Sequence, residues 1–241
     1  MSIDTLRADR LPAYGYAAIR TPAIDALAAG GVLFEHAYTH SPQTLPAHTS
    51  IFSGRLPFAN GVRDNIGFTV KDDEVLLAQR LRDRGYATGA FVSSYVLRSA
   101  VGLARGFDVY DDALQKAAPS RPLGQVQRPG AQTVDAAIAW INRQATDRFF
   151  LFVHLYEPHT PYAPPPEFAK GDPYDGEVAY ADALVGRLMA ALVAAGHHDN
   201  ATIIFLSDHG EGLGDHGEDE HGMFLYRETI QVPLIIRLPG G

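Results

Sequence analysis

Short, largely apolar runs alternate along the chain with longer segments in which apolar residues recur every three or four positions. The short runs predict strands at residues 87–92, 149–156, 201–207 and 232–237. Residues 149–153 are apolar at every position, which is typical of a strand buried on both faces of a mostly parallel sheet, and the run at 203–206 has the same character. The pattern therefore predicts a sheet whose strands are mainly parallel.

The segments with helical periodicity lie between these runs. They cover residues 22–29 after the Thr21-Pro22 start signal, 73–84 before Gly85, 134–141 and 178–193. Helices that alternate with buried strands indicate an α/β protein, so we predict a layered α/β/α domain with a mostly parallel central sheet. The 241 residues fit one domain over 1–241, with a loop or linker at 113–130, where Pro, Gly, Gln and Ala are frequent.

Composition excludes several classes of function. The net charge is −8 and no Lys/Arg block is present, which argues against a nucleic acid polymer or an anionic membrane as the partner. The chain has no cysteine, so disulfides, thiolate metal sites and a cysteine nucleophile are excluded. It shows neither a signal peptide nor an apolar run of membrane-spanning length. Because exported bacterial proteins can also lack cysteine, the compartment stays open.

Candidate chemistry lies at the ends of the predicted strands, where α/β proteins bind their ligands. Asp208 and His209 follow a strand that ends at Ser207, and Gly210 allows a tight turn after them. A carboxylate and an imidazole are a mixed ligand pair that suits Zn, Mn or Mg. The alternative is a helix N-cap followed by a histidine in solvent, and the motif alone does not decide between them.

Two further residues could complete such a site. Asp4 ends a short apolar run and would give an Asp/Asp/His ligand set with an open position, although a lone aspartate there is more often a turn residue. Thr44 precedes Pro46, which suits the first turn of a helix. An alkoxide and an anionic ester would be stabilised at that helix end by the dipole and by free N–H groups, and a metal would activate the hydroxyl. The alternative is that Thr44 only caps the helix.

Several motifs together resemble the sulfatase family of the alkaline phosphatase superfamily, in the right order and over nearly the whole chain. The resemblance implies an alkaline-phosphatase-like fold and a metal-dependent ester hydrolase. It is carried by Asp4-Thr5-Leu6-Arg7-Ala8-Asp9-Arg10, the segment from Thr21 to Ala28, Gly31-Val32-Leu33-Phe34, Ser53-Gly54-Arg55-Leu56-Pro57, Gly61-Val62, Pro158-His159-Thr160-Pro161-Tyr162, Asp208-His209-Gly210-Glu211 and Val232-Pro233-Leu234-Ile235.

The resemblance is less decisive about whether the hydrolysed ester is a sulfate or a phosphate. Sulfatases carry Cys or Ser, matured to formylglycine, in a Cys-x-Pro-Ser-Arg motif, whereas Thr44 and His48 occupy the first and last positions of the matching stretch here. Threonine cannot become formylglycine. Thr-x-Pro-x-His instead resembles the nucleotide pyrophosphatase/phosphodiesterase branch, in which unmodified threonine attacks phosphorus. The Asp-Asp pair of sulfatases is also absent, because Thr5 follows Asp4.

The resemblance implies roles for three more residues, each of which would neutralise charge on substrate oxygens. Asn65 follows Thr44 at the spacing at which phosphodiesterase and phosphonate hydrolase relatives place an asparagine on a substrate oxygen; the alternative is a simple Asp64-Asn65 turn. His159 matches the substrate-facing histidine of the family's Pro-His-x-Pro motif. His221 resembles a histidine that contacts the phosphoryl group in bacterial phosphoethanolamine transferases.

Together these residues give one hypothesis of function. Asp4, Asp208 and His209, with Thr44, bind one divalent cation, Zn or Mn with Mg or Ca as alternatives, and a second ion stays open. Thr44 attacks a small-molecule phosphate ester. The alternatives are a sulfuric ester hydrolase, a phosphoethanolamine-type transferase and a catalytically weak fragment with a binding role. Few residues precede Asp4 and the chain stops directly after a predicted strand, so we also expect a domain truncated at both ends.

Overall fold

Helices and strands are shared between two structural units in the computed structural model, which describes residues 1–114, 126–144 and 148–240. The terminal unit consists of Met1–Pro42 and Glu157–Gly241, and the middle unit of Gln43–Tyr156. The helices are α1 (Pro22–Ala29), α2 (Thr44–Ser53), α3 (Pro57–Asn60), α4 (Leu77–Arg82), α5 (Gly130–Ile141), α6 (Pro173–Ala194) and α7 (Arg227–Ile230). The strands are β1 (Ser2–Ile3), β2 (Val32–Leu33), β3 (Ala37–Tyr38), β4 (Ala87–Val92), β5 (Val109–Asp111), β6 (Phe149–Leu155), β7 (Ile203–Ser207), β8 (Gln231–Val232) and β9 (Leu234–Arg237). The single domain over residues 1–241 stays a prediction.

The middle unit is built on a parallel sheet with the strand order β6–β4–β5. β4 pairs with β6 over its whole length and with β5 in its central part. Parallel neighbours need a long crossover connection, and α5 lies in the connection from β5 to β6. The parallel pairing and the bounds of β4 are as the sequence predicted.

Helices cover both faces of this sheet. On one face Phe91 and Phe149 pack edge-on against Trp140 of α5, with ring centroids 6.2 and 5.7 Å away. On the other face Phe152 packs edge-on against Phe52 of α2 at 4.8 Å. Successive strand residues point to opposite faces, so the apolar run of β6 supplies both layers. The core on the α2 face comprises Leu45, Phe52, Val62, Val70, Leu76, Ala78, Ala90, Val92, Val96, Leu97, Val101, Leu103, Phe107 and Phe152.

The terminal unit contains a mixed sheet with the strand order β2–β9–β7–β1. β1 runs parallel to β7, whereas β9 is antiparallel to both β7 and β2. A separate antiparallel pair joins β3 to β8. The predicted α/β class is confirmed, and the β1–β7 pair brings the carboxyl ends of two parallel strands to one edge.

A buried carboxylate joins two helices of the terminal unit. Asp182 of α6 accepts the backbone N–H groups of Ala23 and Ile24, at 3.3 and 2.8 Å, and so caps α1. Thr21 occupies the N-cap position, as predicted, but its hydroxyl donates to Asp25 instead of capping. The sequence pattern located the helix start, while the cap itself comes from another helix.

Three helices, α4, α5 and α6, begin at residues other than those that periodicity predicts, and a local cap is present at the starts of α4 and α6. α4 starts after Leu76, which is extended and donates its N–H to the side chain of Gln79 at 2.9 Å. α6 starts directly after Asp172, whose side chain accepts two N–H groups of the first turn. In both cases a local cap sets the start, which the spacing of apolar residues does not record.

The remaining differences concern two strands and a loop. Pro233 has no N–H to donate to a ladder, and the strand predicted at 232–237 is divided there into β8 and β9. Ile204 is 42% exposed, so β7 is not buried on both faces throughout. Residues 115–125 of the predicted loop at 113–130 lie outside the described residues, and Gly130 already belongs to α5. In the part of the chain that the structure describes, no helix is long and apolar enough to cross a membrane.

A buried carboxylate of α6 should make stability depend on pH. Glu177 is 5% exposed, and burial raises its pKa from 4.5 to about 7, against the hydrogen bond from the Ala163 N–H and with a further increase from the charge of Glu157. Because the folded-state pKa lies above the ordinary value, ionisation opposes folding. The free energy of unfolding should fall as the pH rises from 4.5 to about 7, by on the order of 2–3 kcal/mol.

Glu177→Gln keeps an acceptor for the Ala163 N–H and carries no charge. Urea unfolding of both proteins at about pH 5 and about pH 8 should show a smaller loss of stability in the variant across this interval. Equal losses in the two proteins would mean that another group carries the dependence.

Candidate active site

The predicted metal ligands follow two neighbouring parallel strands of the terminal unit. Asp4 comes directly after β1 and Asp208 directly after β7, and the two strands pair in register up to Ile3 and Ser207. Both carboxylates are fully buried, at 0% exposure. The edge at which parallel strands end therefore brings together two acids that are far apart in the sequence.

Asp4, Asp208 and His209 form a close ligand set. Each offers one ligand atom, and the three atoms lie within 4.8 Å of one another. His209 Nε2 is 3.5 Å from Asp4 Oδ1 and 3.4 Å from Asp208 Oδ2. Two carboxylates with one imidazole are a mixed O/N set that fits zinc or manganese, whereas Mg²⁺ and Ca²⁺ prefer oxygen alone. The residues therefore fit the divalent cation that the sequence predicts.

Burial of these groups creates an electrostatic conflict that a cation would remove. Burial, and next the adjacent carboxylate of Asp4, raise the pKa of Asp208 well above its usual value. Burial also lowers the pKa of His209 well below its usual value, so its imidazole is neutral. His209 Nδ1 donates to Gly210 O at 3.0 Å, which leaves the lone pair of Nε2 facing the carboxylates. This is the tautomer that a metal ligand needs.

The turn after His209 requires glycine at two positions. The N–H of Gly210 donates to Thr229 O at 2.8 Å, and the N–H of Gly212 donates to Glu220 O at 2.6 Å. A Cβ on Gly210 would lie 1.9 Å from Glu228 O, and one on Gly212 would lie 2.1 Å from Glu218 O. Only glycine permits such a close approach. No described helix begins at this turn and His209 is buried, so the helix-cap alternative is wrong.

The residue after Asp4 is fixed by buried hydrogen bonds. Thr5 adopts a left-handed backbone conformation, with φ of 53°, which costs about 1–2 kcal/mol in a residue with a Cβ. Its hydroxyl donates to Pro158 O at 2.6 Å, and its carbonyl accepts from Tyr174 OH at 2.8 Å. These contacts hold the strained residue in place and fix the backbone that carries the Asp4 carboxylate.

Ser207 connects the two ligand-bearing segments. Its hydroxyl accepts the N–H of Leu6 at 3.1 Å and donates to His209 O at 2.6 Å. The side chain is buried, so both hydrogen bonds are shielded from water. The backbone after β1 and the turn after β7 are therefore held together by one hydroxyl.

His159 and His221 lie beside the candidate ligands. The ring of His221 is 4.3 Å from that of His209 and 5.1 Å from that of His159, centroid to centroid. His159 Nδ1 donates to Thr160 O at 2.8 Å, and His221 Nδ1 lies 2.8 Å from Glu211 Oε1. Burial disfavours the charged form of His221, but the hydrogen bond with Glu211 raises its pKa above the usual value. Both predicted substrate-contacting histidines thus lie next to the candidate metal ligands.

Thr44 and Asn65 are brought together in the middle unit. Thr44 is the first residue of α2 and Gln43 occupies the N-cap position, so the reading of Thr44 as a mere cap is wrong. Asn65 Oδ1 accepts the N–H of Leu45 at 2.8 Å, which makes Asn65 more than a turn residue. Its side chain is fixed against the first turn of the helix that begins at Thr44.

The first turn of α2 offers fewer N–H groups to an ester than the sequence suggests. The N–H of Leu45 is used by Asn65, Pro46 has none, and the N–H of Ala47 donates to Gln43 O at 3.1 Å. Three of the first four positions therefore provide no donor for an anion. The expected row of free N–H groups is therefore wrong for Leu45, Pro46 and Ala47, whereas the helix dipole still acts at this helix end.

The sequence assigned no role to Glu211 and Tyr162, although both stand within the motifs that carry the family resemblance. Glu211 is fully buried, and its Oε2 accepts the hydroxyl of Tyr162 at 2.9 Å while its Oε1 meets His221. Motif membership was the only signal that could have indicated them.

In the middle unit the buried rings of His48 and His154 contact edge-on at 5.1 Å, a pairing that the sequence also did not reveal.

Known proteins resemble this chain over nearly its whole length. A family model described as Sulfatase matches residues 2–241. An ulvan-active sulfatase from Formosa agariphila is 25% identical over 95% of this chain, and an arylsulfatase from Clostridium perfringens is 24% identical over 99%. The crystal structure of a phosphonate monoester hydrolase from Agrobacterium radiobacter has a TM-score of 0.84 at 22% identity, covering 99% of this chain.

The similarity covers only part of each relative. The chain spans 54% of the ulvan-active sulfatase and 67% of the arylsulfatase. It spans 67% of the phosphonate monoester hydrolase chain, whose fold confirms the predicted alkaline-phosphatase-like architecture.

Gly210→Ala should disturb the turn that carries His209. The added Cβ would lie 1.9 Å from Glu228 O, so the backbone must shift, at an expected cost of about 2–4 kcal/mol in the free energy of unfolding. Urea unfolding measures this cost, and calorimetric titration should show weaker zinc binding. The matched control is Gly186→Ala in α6, where the new Cβ meets Ala23 Cβ at an ordinary 3.4 Å and helix propensity improves. If Gly210→Ala and Gly186→Ala had the same free energy of unfolding and the same zinc affinity, the proposed need for glycine in this turn would be contradicted.

Divalent cations should stabilise the protein through Asp208. Zinc or manganese at 100 times its dissociation constant should add about 2.7 kcal/mol of stability to the wild type. Asp208→Asn should lose most of this gain. Its metal-free form should be at least as stable as the metal-free wild type, because one of two adjacent buried carboxylates is gone. Thermal unfolding with and without metal measures both effects.

Asp219→Asn serves as the control, because Asp219 is an exposed aspartate. Its unfolding temperature should respond to metal like that of the wild type. A cation-induced shift that survives in Asp208→Asn would show that the cation binds elsewhere.

Proposed function

We propose that this chain, which belongs to the sulfatase family, carries the catalytic site of a metal-dependent hydrolase of phosphate or sulfate esters. The observation that carries the proposal is the buried set of Asp4, Asp208 and His209 with two further histidines beside it. Burying two carboxylates side by side is unfavourable unless a cation is bound, so such a set supports a functional rather than a packing role. The names of the sulfatase relatives support ester hydrolysis.

Asp4, Asp208 and His209 would hold one cation, zinc or manganese. A cation there supplies positive charge that lowers the pKa of a hydroxyl and neutralises ester oxygens. The protein contributes the geometry: His209 presents Nε2 because Gly210 O fixes the hydrogen on Nδ1, and Ser207 holds the turn. Both ligand-bearing segments are fixed before a substrate arrives.

Thr44 is the proposed nucleophile. Its position at the first residue of α2 supports this role, because the positive end of the helix dipole favours an alkoxide. In the proposed reaction the hydroxyl gives its proton to solvent and a bond forms from Oγ to phosphorus. The bond from phosphorus to the leaving oxygen breaks, and the leaving group departs with its electron pair and takes up a proton from solvent. Water then cleaves the ester on Thr44 and restores the hydroxyl.

His159, His221 and Asn65 are the proposed contacts for the ester oxygens. His221 Nδ1 meets Glu211 within the protein, so Nε2 is the nitrogen of this ring that would meet a substrate oxygen. His159 is held by the bond from its Nδ1 to Thr160 O and lies beside the His221 ring. The Asn65 carbonyl oxygen is used by Leu45, so its amide nitrogen is the group that would donate to an oxygen. Donors aimed at oxygens that gain charge in the transition state are the expected source of rate enhancement.

Phosphorus esters are the favoured substrates in this proposal. Thr44 cannot be matured to formylglycine, and His48 stands where sulfatases carry an arginine. His48 Nδ1 donates to Thr44 O at 2.8 Å, so this ring is bonded within α2 and does not replace a long cationic side chain. Sulfate esters are the second candidate, because the relatives named above are sulfatases.

The test compares four substrates on zinc- or manganese-loaded protein: an aryl phosphodiester, a phosphomonoester, a phosphonate monoester and an aryl sulfate. The wild type is compared with Thr44→Ala. Thr49→Ser is the matched control, since Thr49 lies on the same helix and its hydroxyl donates to Leu45 O within that helix. We expect phosphorus-ester turnover that falls by at least about 10³-fold in Thr44→Ala and is retained in Thr49→Ser.

The other outcomes are equally informative. Sulfate as the best substrate would overturn the phosphorus preference and favour the second candidate. Turnover that persists in Thr44→Ala would show that Thr44 is not the nucleophile. The absence of metal-dependent turnover on all four esters would refute ester hydrolysis by this chain.

A further inference from the structure

A hydrogen-bonded chain of three side chains runs through the terminal unit beside the candidate metal ligands. Tyr162 OH donates to Glu211 Oε2 at 2.9 Å, and Glu211 Oε1 is 2.8 Å from His221 Nδ1. Glu211 is 0% exposed and His221 is largely buried. A fully buried carboxylate with one strong donor on each oxygen is a satisfied group.

The donors in this chain are unambiguous. Burial, and next the charge of Glu211, raise the pKa of Tyr162, so its hydroxyl keeps its hydrogen and donates. A carboxylate oxygen accepts, and His221 Nδ1 must therefore carry a hydrogen. The nitrogen of His221 that remains for other partners is Nε2.

The orientation of the His221 ring is fixed by more than one contact. Its ring lies 4.3 Å from that of His209 with an angle of 35° between the planes, and 5.1 Å from that of His159 with an angle of 86°. These ring contacts restrict the tilt, while the bond to Glu211 restricts rotation about the side chain. Without Glu211 the ring could turn over and exchange its two nitrogens.

Glu211 also connects three segments of the chain. It follows the Asp208-His209 turn, its partner Tyr162 lies on the segment that carries His159, and its other partner is His221 on a later loop. All these residues belong to the terminal unit. One carboxylate thus joins His221, and the segment that carries His159, to the turn that carries a metal ligand.

We infer that Glu211 is a positioning residue: it holds the His221 ring with Nε2 available to a substrate oxygen, and Tyr162 in turn holds Glu211. As a statement about catalysis, the inference rests on the proposed ester hydrolysis. As a statement about the His221 ring it stands on the hydrogen bonds alone. Partners that orient a functional imidazole in this way typically contribute about 10- to 100-fold to activity.

The first readout does not depend on turnover. Nitrogen-15 NMR of histidine-labelled, zinc-loaded protein at a fixed pH detects which ring nitrogen of His221 carries the hydrogen, and His221→Asn assigns the signal. The wild type should show one fixed Nδ1–H, which Glu211→Gln and Tyr162→Phe should keep. Glu211→Ala should show exchange between the two nitrogens. An unchanged His221 signal in Glu211→Ala would overturn the inference.

The second readout is steady-state kinetics on the best ester of the panel. Glu211→Ala should lower kcat by about 10- to 100-fold with KM within about 3-fold, at unchanged zinc content. Glu211→Gln retains an acceptor for His221, so its kcat should be close to that of the wild type. The kcat of Tyr162→Phe should lie between the values of Glu211→Gln and the wild type. Glu218→Gln is the matched control, because Glu218 is a buried carboxylate that accepts backbone N–H groups, those of Met223 and Phe224. Its kcat should match the wild type.

Two results would count against the inference. A loss of zinc or of folded protein in Glu211→Ala that also appears in Glu211→Gln would mean that Glu211 only supports the fold. If Glu211→Ala left kcat unchanged, Glu211 would have no role in catalysis. If the wild type hydrolysed no ester, the proposed function would fail, whereas the His221 signal would still decide whether Glu211 positions the ring.

Discussion

The burial of two carboxylates side by side is the constraint on which the rest of the site depends. Asp4 and Asp208 are both fully buried at the ends of parallel β1 and β7, and burial, followed by the charge of Asp4, raises the pKa of Asp208. A neutral His209 lies within 3.5 Å of both carboxylates and provides a lone pair but no charge. A cation or protons bound at this pair would offset the cost of the arrangement. The surrounding backbone must therefore be rigid enough to keep the acids together.

That rigidity comes from backbone features that would be unfavourable elsewhere. Thr5 is held with a positive φ by hydrogen bonds to Pro158 and Tyr174. Gly210 and Gly212 permit backbone contacts that a Cβ would prevent. Each feature fixes one ligand-bearing segment, and strain of this kind persists only where the neighbouring contacts compensate for it. The tautomer of His209 is fixed by a separate contact, the hydrogen bond from its Nδ1 to Gly210 O.

The buried carboxylate of Glu211 is stabilised differently, by hydrogen bonds to two side chains. Its two oxygens are satisfied by Tyr162 and His221, so it needs no cation and can act as a fixed anchor. The terminal unit thus contains two kinds of buried carboxylate: an adjacent pair that, with His209, suits a metal, and a single one that is hydrogen-bonded to an imidazole. A divalent ion would be held by the first kind, and the candidate substrate contacts by the second.

The sequence by itself determined the fold class, the strands that end at the site and the identity of the candidate ligands. Apolar runs and glycine turns are local signals, and Asp4, Asp208 and His209 each follow such a run. Local patterns could not show that Asp182 caps α1, that Asn65 bonds to the first turn of α2, or that Glu211 joins Tyr162 to His221. Each of these contacts joins residues far apart in the chain, and the distances between them are set by packing. The tertiary structure alone decided them, because a hydrogen bond depends on position in space and the periodicity of a segment records only its own burial.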